Sequence, residues 1–283
     1  MNPDPRWDSP IGIFDSGMGG LSVLRAVRRL MPGESLVYFG DQAHVPYGPR
    51  PLEQVRAFSE GITRFLLSRR SKIIVVACNA ASAAALAYLR QAYPGVPFVG
   101  MEPAVKPAAE QTSSGVVGVL ATPATFQGAL YASVVERFAT GVELLRSTCP
   151  GLVRKIEDGD LSGPETRAIL EEALRPMLKR NIDTVVLACT HYPLVIPLIE
   201  EIVGKGVRVI DPAPAVARQA RRLLEGRGLL RPADYSGSVE YLTSGEANSF
   251  SRVLQTLLGE SSPAHGLAWE HDNILTAARV PAK

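Results

Sequence analysis

Ile73-Ile-Val-Val-Ala-Cys78-Asn79 and Thr184-Val-Val-Leu-Ala-Cys189-Thr190 decide how this 283-residue chain is read. Each is an unbroken apolar run that ends in Ala-Cys and a polar residue. Continuous rather than alternating runs suit strands covered on both faces, as in parallel sheets flanked by helices. The two cysteines stand 111 residues apart, and a second echo, Gly12-Ile-Phe-Asp-Ser16 and Gly118-Val-Leu-Ala-Thr122, has an offset of 106. Two matches at nearly one spacing predict a duplicated domain.

The same alternation continues outward from these runs. Ile11–Phe14, Ser35–Phe39, Ile73–Ala77, Pro97–Gly100, Gly115–Leu120, Val142–Leu145, Thr184–Ala188, Val207–Ile210 and Val239–Leu242 read as strands. Leu21–Leu30, Leu52–Leu67, Ala81–Arg90, Phe126–Phe138, Leu194–Val203, Ala215–Leu224 and Phe250–Leu258 show helical spacing. Pro32-Gly33 and Pro94-Gly95 punctuate the first and third of these helices. Ser162-Gly-Pro-Glu165 predicts a capping box opening a helix to about Arg180, which Pro176 should kink or end early. The fold class expected is α/β: two similar domains, each a mainly parallel sheet flanked by helices.

Composition narrows the function. Apolar residues make up 46% of the chain and charged residues 20%, enough for a large core. The formal charge of +2, with no basic block beyond pairs such as Arg69-Arg70, speaks against a nucleic-acid partner. The uncharged run Ile73–Leu89 is short for a membrane span and carries Asn79 and Ser82, so a buried strand leading into a helix is the better reading. Met1–Pro10 carries charges and prolines where a signal peptide needs an apolar stretch. Cys78, Cys149 and Cys189 have neither disulfide-scaffold nor zinc spacing. A reducing cytoplasm with free thiols is the expectation.

Ligands of open α/β sheets bind beyond the carboxyl ends of the strands. Polar residues gather at that edge: Asp15-Ser16, the loop Asp41–Gly48, Cys78-Asn79, Thr122–Thr125 and Cys189-Thr190-His191. A cysteine at a strand end faces the positive end of the helix that follows, where the thiolate is favoured. Two thiols sharing one pocket suit inversion of a carbon centre, one as base and the other as acid, with roles exchanged for the reverse reaction. Cys149, without an echo, reads as a small apolar residue. Asp15 either caps the next turn or, with Ser16 and Gly17, holds an ammonium group or assists the first thiol, and His191 stands beside the second. Gly17-Met-Gly-Gly20 lacks a phosphate-loop lysine and dinucleotide spacing, and reads as a tight strand-to-helix turn with exposed N–H groups.

At these residues the chain resembles the glutamate racemases. The resemblance is carried by Gly12-Ile-Phe-Asp-Ser-Gly-Met-Gly-Gly-Leu-Ser-Val-Leu24, by Tyr38-Phe-Gly-Asp41 with Val45-Pro-Tyr-Gly48, and by Ala77-Cys-Asn-Ala-Ala-Ser-Ala83. Glu102-Pro-Ala-Val-Lys-Pro107 and Leu187-Ala-Cys-Thr-His-Tyr-Pro-Leu194 complete it. It implies a first domain of residues 1–103 plus 213–283 and a second of 104–212, with the active site in the cleft between them. It also implies interconversion of L- and D-glutamate for peptidoglycan synthesis, with no cofactor or metal, in a homodimer. Cys78 and Cys189 would exchange the protons, Asp15 supporting the first and His191 with Glu157 the second. Asp15, Ser16, Tyr47, Gly48, Asn79, Ala80, Thr125, Thr190 and His191 would contact substrate.

Ala80 departs from the family, which usually has threonine there; a hydroxyl expected on a substrate carboxylate is lost. Ser262–Lys283 has no counterpart and reads as a tail. Three rivals remain: an aspartate racemase or related isomerase, a thiol hydrolase using one cysteine with His191, and an amino-acid-binding protein without turnover.

Overall fold

The structure is a computed structural model that describes residues 5–232, 234–270 and 274–277. In chain order the strands are β1 (Ile11–Asp15), β2 (Leu36–Gly40), β3 (Ile73–Val76), β4 (Phe98–Gly100), β5 (Val116–Ala121), β6 (Glu143–Ser147), β7 (Thr184–Ala188), β8 (Arg208–Ile210), β9 (Val239–Thr243), β10 (Ala264–Glu270) and β11 (Ile274–Ala277). The helices are α1 (Leu21–Leu30), α2 (Leu52–Ser68), α3 (Asn79–Ala92), α4 (Val105–Gln111), α5 (Pro123–Gln127), α6 (Ala129–Phe138), α7 (Leu152–Glu157), α8 (Pro164–Leu178), α9 (Ile196–Val203), α10 (Ala213–Gly226) and α11 (Ala247–Leu258).

Two sheets result, one ordered β11-β10-β9-β2-β1-β3-β4 and the other β6-β5-β7-β8. All pairings are parallel except β10 with β11. The segment β2-β1-β3-β4 repeats in the second sheet as β6-β5-β7-β8. The echoed sequence pairs therefore occupy equivalent places: Ser16 and Thr122 follow β1 and β5, while Cys78 and Cys189 follow β3 and β7.

Burial explains why the core strands read as unbroken apolar runs. Every residue of β1, β2, β3 and β7 is buried. Ile11, Ile13, Val75 and Tyr38 pack on one face with α1, α10 and α11, while Phe14, Ile74 and Val76 pack on the other with α2 and α3. The second sheet is covered in the same way, by α7, α8 and α9 on one face and by α4 and α6 on the other. Among the described residues no helix is long and apolar enough to cross a membrane.

Several expectations are corrected. The predicted helix Phe126–Phe138 is two helices, because Gly128 adopts an extended backbone between α5 and α6. Its Cβ would fall 2.5 Å from that of Ala83, so this break brings the second sheet's helices against α3. The capping box at Ser162 does not form: Asp160 accepts the Gly163 N–H at 2.7 Å, and α8 begins at Pro164 with no side-chain cap from Gly163. Pro176 falls inside the last turn, and α8 ends at Leu178. The supposed tail is structured at Ala264–Glu270, which joins β9 as a parallel strand, and at Ile274–Ala277; residues 271–273 and 278–283 lie outside the described residues.

The end of the first sheet opposite the site is held by a buried ion pair. Lys72 Nζ lies 2.6 Å from Glu34 Oε2 with both side chains almost fully enclosed, and it donates to the Trp7 and Leu229 carbonyls. Removing one member of such a pair leaves a charge stranded out of water. Lys72→Met is expected to lower the unfolding free energy by about 3 kcal/mol, read from the shift of the urea midpoint at constant slope.

Candidate active site

The strand order reverses at β1/β3 in the first sheet and at β5/β7 in the second, which are the topological switch points where α/β sheets bind ligands. Both open onto one cavity. Ser16 comes from the end of β1, and Cys78, Asn79 and Ala80 from the end of β3. Thr122 follows β5, and Cys189, Thr190 and His191 follow β7. Pro46, Tyr47, Gly48 and Val153 close the remaining sides. The cavity measures about 20 Å³, room for about one water on that measure.

Cys78 is the N-cap of α3; its Sγ accepts the Ala81 N–H at 3.5 Å and lies 3.9 Å from Ser16 Oγ. The expectation that the helix end favours its thiolate is overturned. Burial, reinforced by the charge of Asp15, pushes the Cys78 thiol well above the usual range, and the Ala81 N–H offsets this only in part. Cys189 Sγ lies 3.9 Å from His191 Nδ1. Cys149 is buried as a core residue, and burial pushes its thiol up to about 12.

The group joining the two halves is Glu157, at the end of α7. Its Oε1 accepts the His191 Nε2–H at 2.6 Å and the Met18 N–H at 2.6 Å, and its Oε2 accepts from Gln42 at 3.0 Å. Burial alone would raise this carboxyl, but the hydrogen bond and charge of His191, with Met18 and Gln42, hold it below its ordinary value. Burial likewise works against a charged His191, yet Cys189 and Glu157 prevail and raise its pKa well above 6.5.

The glycine run forms the tight strand-to-helix turn expected between β1 and α1, but without the exposed N–H groups expected at its start. Two of its N–H groups are taken: Gly17 donates to Asp15 at 3.0 Å and Met18 to Glu157. A Cβ at Gly17 would run into the Glu157 carboxylate, and one at Gly19 would come within 2.6 Å of His191 Nδ1. These glycines let the two halves close together.

Asp15 is fully buried behind the cavity wall, with Thr190 Oγ1 donating to its Oδ1 at 3.1 Å. Burial raises its pKa, against the lowering effect of His191. Asp15 and Glu157 do not line the cavity themselves; they touch residues that do. Thr125 is also set back, its hydroxyl 3.1 Å from that of Thr122, which does line it. Both polar atoms of Asn79 are buried without a hydrogen-bond partner, an arrangement that folded proteins otherwise avoid. Sequence reasoning did not single out Pro46 or Gln42 within the loop Asp41–Gly48, and it missed Val153 and the role of the Met18 N–H and the Gln42 amide. The last two are recognisable only once Glu157 is seen to cross between the sheets.

Fold and site together define a two-lobed α/β protein with one thiol from each lobe facing a shared, small cavity. The Asp/Glu/hydantoin racemase family model matches residues 18–220, and the chain belongs to that family of isomerases. It is 50% identical over 249 residues to a glutamate racemase of Roseiflexus sp. (strain RS-1), covering 88% of this chain and 92% of that one. Its fold is similar to that of a glutamate racemase isoform from Bacillus anthracis, with TM-score 0.81 and 33% identity over 93% of this chain and 98% of the other. A glutamate racemase from Francisella tularensis in complex with D-glutamate superposes with TM-score 0.78 and 29% identity over 90% of this chain and 95% of that one.

The His191–Glu157 pair sets a pH window. Because the Glu157 pKa is depressed, its stabilising contribution is present above about 4.5 and lost as pH falls through the folded value. Because the His191 pKa is raised, its contribution is complete below about 6.5 and lost as pH rises through the folded value. Nitrogen-15 NMR of labelled histidine is expected to find His191 as imidazolium at neutral pH, and Glu157→Gln to move its titration down towards that of ordinary imidazole.

Proposed function

We propose that this protein is a glutamate racemase that inverts Cα by two-thiol acid–base chemistry. The observation that carries the reading is the arrival of Cys78 and Cys189, from equivalent strand ends of two like sheets, on one cavity. The names of the relatives favour glutamate as substrate, and the resemblance favours a role in supplying D-glutamate for peptidoglycan.

A thiolate on one face removes the Cα proton, and the electron pair passes into the substrate carboxylate. The thiol on the other face then delivers its proton to Cα. The reverse direction exchanges the two roles. Burial keeps Cys78 in the thiol form in the closed cavity, so it waits as the acid. The charge of Asp15 disfavours a Cys78 thiolate, so a proton held by Asp15 makes room for that thiolate. On the other side, His191 is placed to exchange a proton with Cys189, and Glu157 fixes the ring through Nε2.

Asn79 supplies its unpartnered carboxamide to substrate, with Ser16, Tyr47, Gly48, Thr190 and His191 around it and Thr125 acting through Thr122. Ala80 lines the same wall without a hydroxyl, leaving Asn79 and the α3 N-terminus to hold a carboxylate. The membership of the two sheets favours a first domain of residues 1–103 plus 213–283 and a second of 104–212.

Racemisation of either enantiomer in heavy water is expected to give product deuterated at Cα, followed by circular dichroism and mass spectrometry. Product that keeps its original hydrogen rejects the two-base scheme. Cys78→Ala and Cys189→Ala are each expected to lower kcat by about 10³-fold, whereas a one-cysteine hydrolase would lose activity with only one of them. A kcat/KM for aspartate above that for glutamate would move the assignment to the neighbouring racemase.

Asn79→Leu offers a second check. Removing an unpaired buried amide is expected to stabilise the free protein by about 1 kcal/mol while raising KM for glutamate about tenfold. Urea denaturation and initial-rate kinetics measure the two effects separately.

A further inference from the structure

Asp41 follows β2 and is fully buried. Its Oδ2 accepts from the Tyr47 hydroxyl at 2.5 Å and lies 2.9 Å from His44 Nδ1. Its Oδ1 accepts from Ser244 Oγ at 2.6 Å and from the Trp269 indole N–H at 2.8 Å. Trp269 comes from β10, outside the 18–220 segment that the family model matches. Its ring meets His44 edge-on at 5.3 Å, and His44 stacks on Phe58 at 3.8 Å. Tyr47 and its neighbours Pro46 and Gly48 form one wall of the cavity.

We propose that Trp269 is a positioning residue for substrate: its indole N–H orients Asp41, which holds Tyr47 and the Pro46–Gly48 wall in register with the thiols. The inference rests on the glutamate racemase reading. A hydrogen bond from a neutral donor to a buried carboxylate is strong and directional. Without it, Oδ1 keeps the Ser244 hydroxyl and a longer contact to His44 Nδ1 at 3.1 Å, and the orientation of the carboxylate towards Tyr47 is less tightly set. Trp269 does not line the cavity that the thiols face, so its loss acts on substrate placement rather than on proton transfer.

Two substitutions separate the donor from the ring. Trp269→Phe keeps an aromatic ring and removes the N–H. Trp269→His keeps a five-membered ring whose Nε2–H stands where the indole N–H stands. In the full chain, Trp269→Phe is expected to raise KM for glutamate about tenfold with kcat within about twofold, and Trp269→His to return KM to within about threefold of the parent.

A wild-type KM in Trp269→Phe, or an equal rise in both variants, overturns the inference, the second outcome because it reduces Trp269 to packing. The chain has two tryptophans, so Trp7→Phe leaves Trp269 as the sole emitter in an intact site. Glutamate is expected to shift its emission on binding, and saturable binding without a shift counts against the proposal. Absence of racemisation by the unmodified protein would instead overturn the proposed reaction.

Discussion

The Glu157 carboxylate is the point through which the two halves of this molecule become one site. It belongs to the second lobe, yet it accepts the Met18 N–H and the Gln42 amide of the first and at the same time steers His191. Buried negative charge is costly unless it is fully hydrogen-bonded. Here its partners come from both lobes, so the charge is satisfied only when they are closed. The same contact orients the imidazole beside Cys189. The join between the lobes and the orientation of the imidazole beside Cys189 therefore depend on one group.

Supporting residues become intelligible from this constraint. Gly17 and Gly19 are glycines because Glu157 and His191 occupy the space where side chains would stand. Thr190 reaches back to Asp15, and the Ser22 hydroxyl reaches the Thr190 carbonyl at 3.3 Å. Around Glu157, Gln42 and His191 the rest of this polar seam uses short side chains and main-chain groups, which allow a close approach without wedging the halves apart.

Much of this was legible in the residues. The Ala-Cys strand ends, the Ser16/Thr122 echo and the polar residues after β1, β3, β5 and β7 located the cleft, because strand periodicity and turn chemistry are local properties. Local pattern failed where distant contacts decide. Short helices such as α4 and α7 carry too few residues to display a period, so Glu157 could be placed only by resemblance. Ser162 looked like a cap, but Asp160 took the donor. The helix-end argument for Cys78 ignored desolvation, which only the folded surroundings reveal. The segment after Ser262 looked like a tail because its partner, β9, is what makes it a strand.

The cavity has a consequence for access. Its free volume is that of about one water, and an amino acid with a side-chain carboxylate is several times larger. The walls must therefore part to admit such a molecule, and the hydrogen bonds of Met18, Gln42 and Thr190 are polar contacts that tie the lobes together beside them. The seam that orders the site is thus also the door to it.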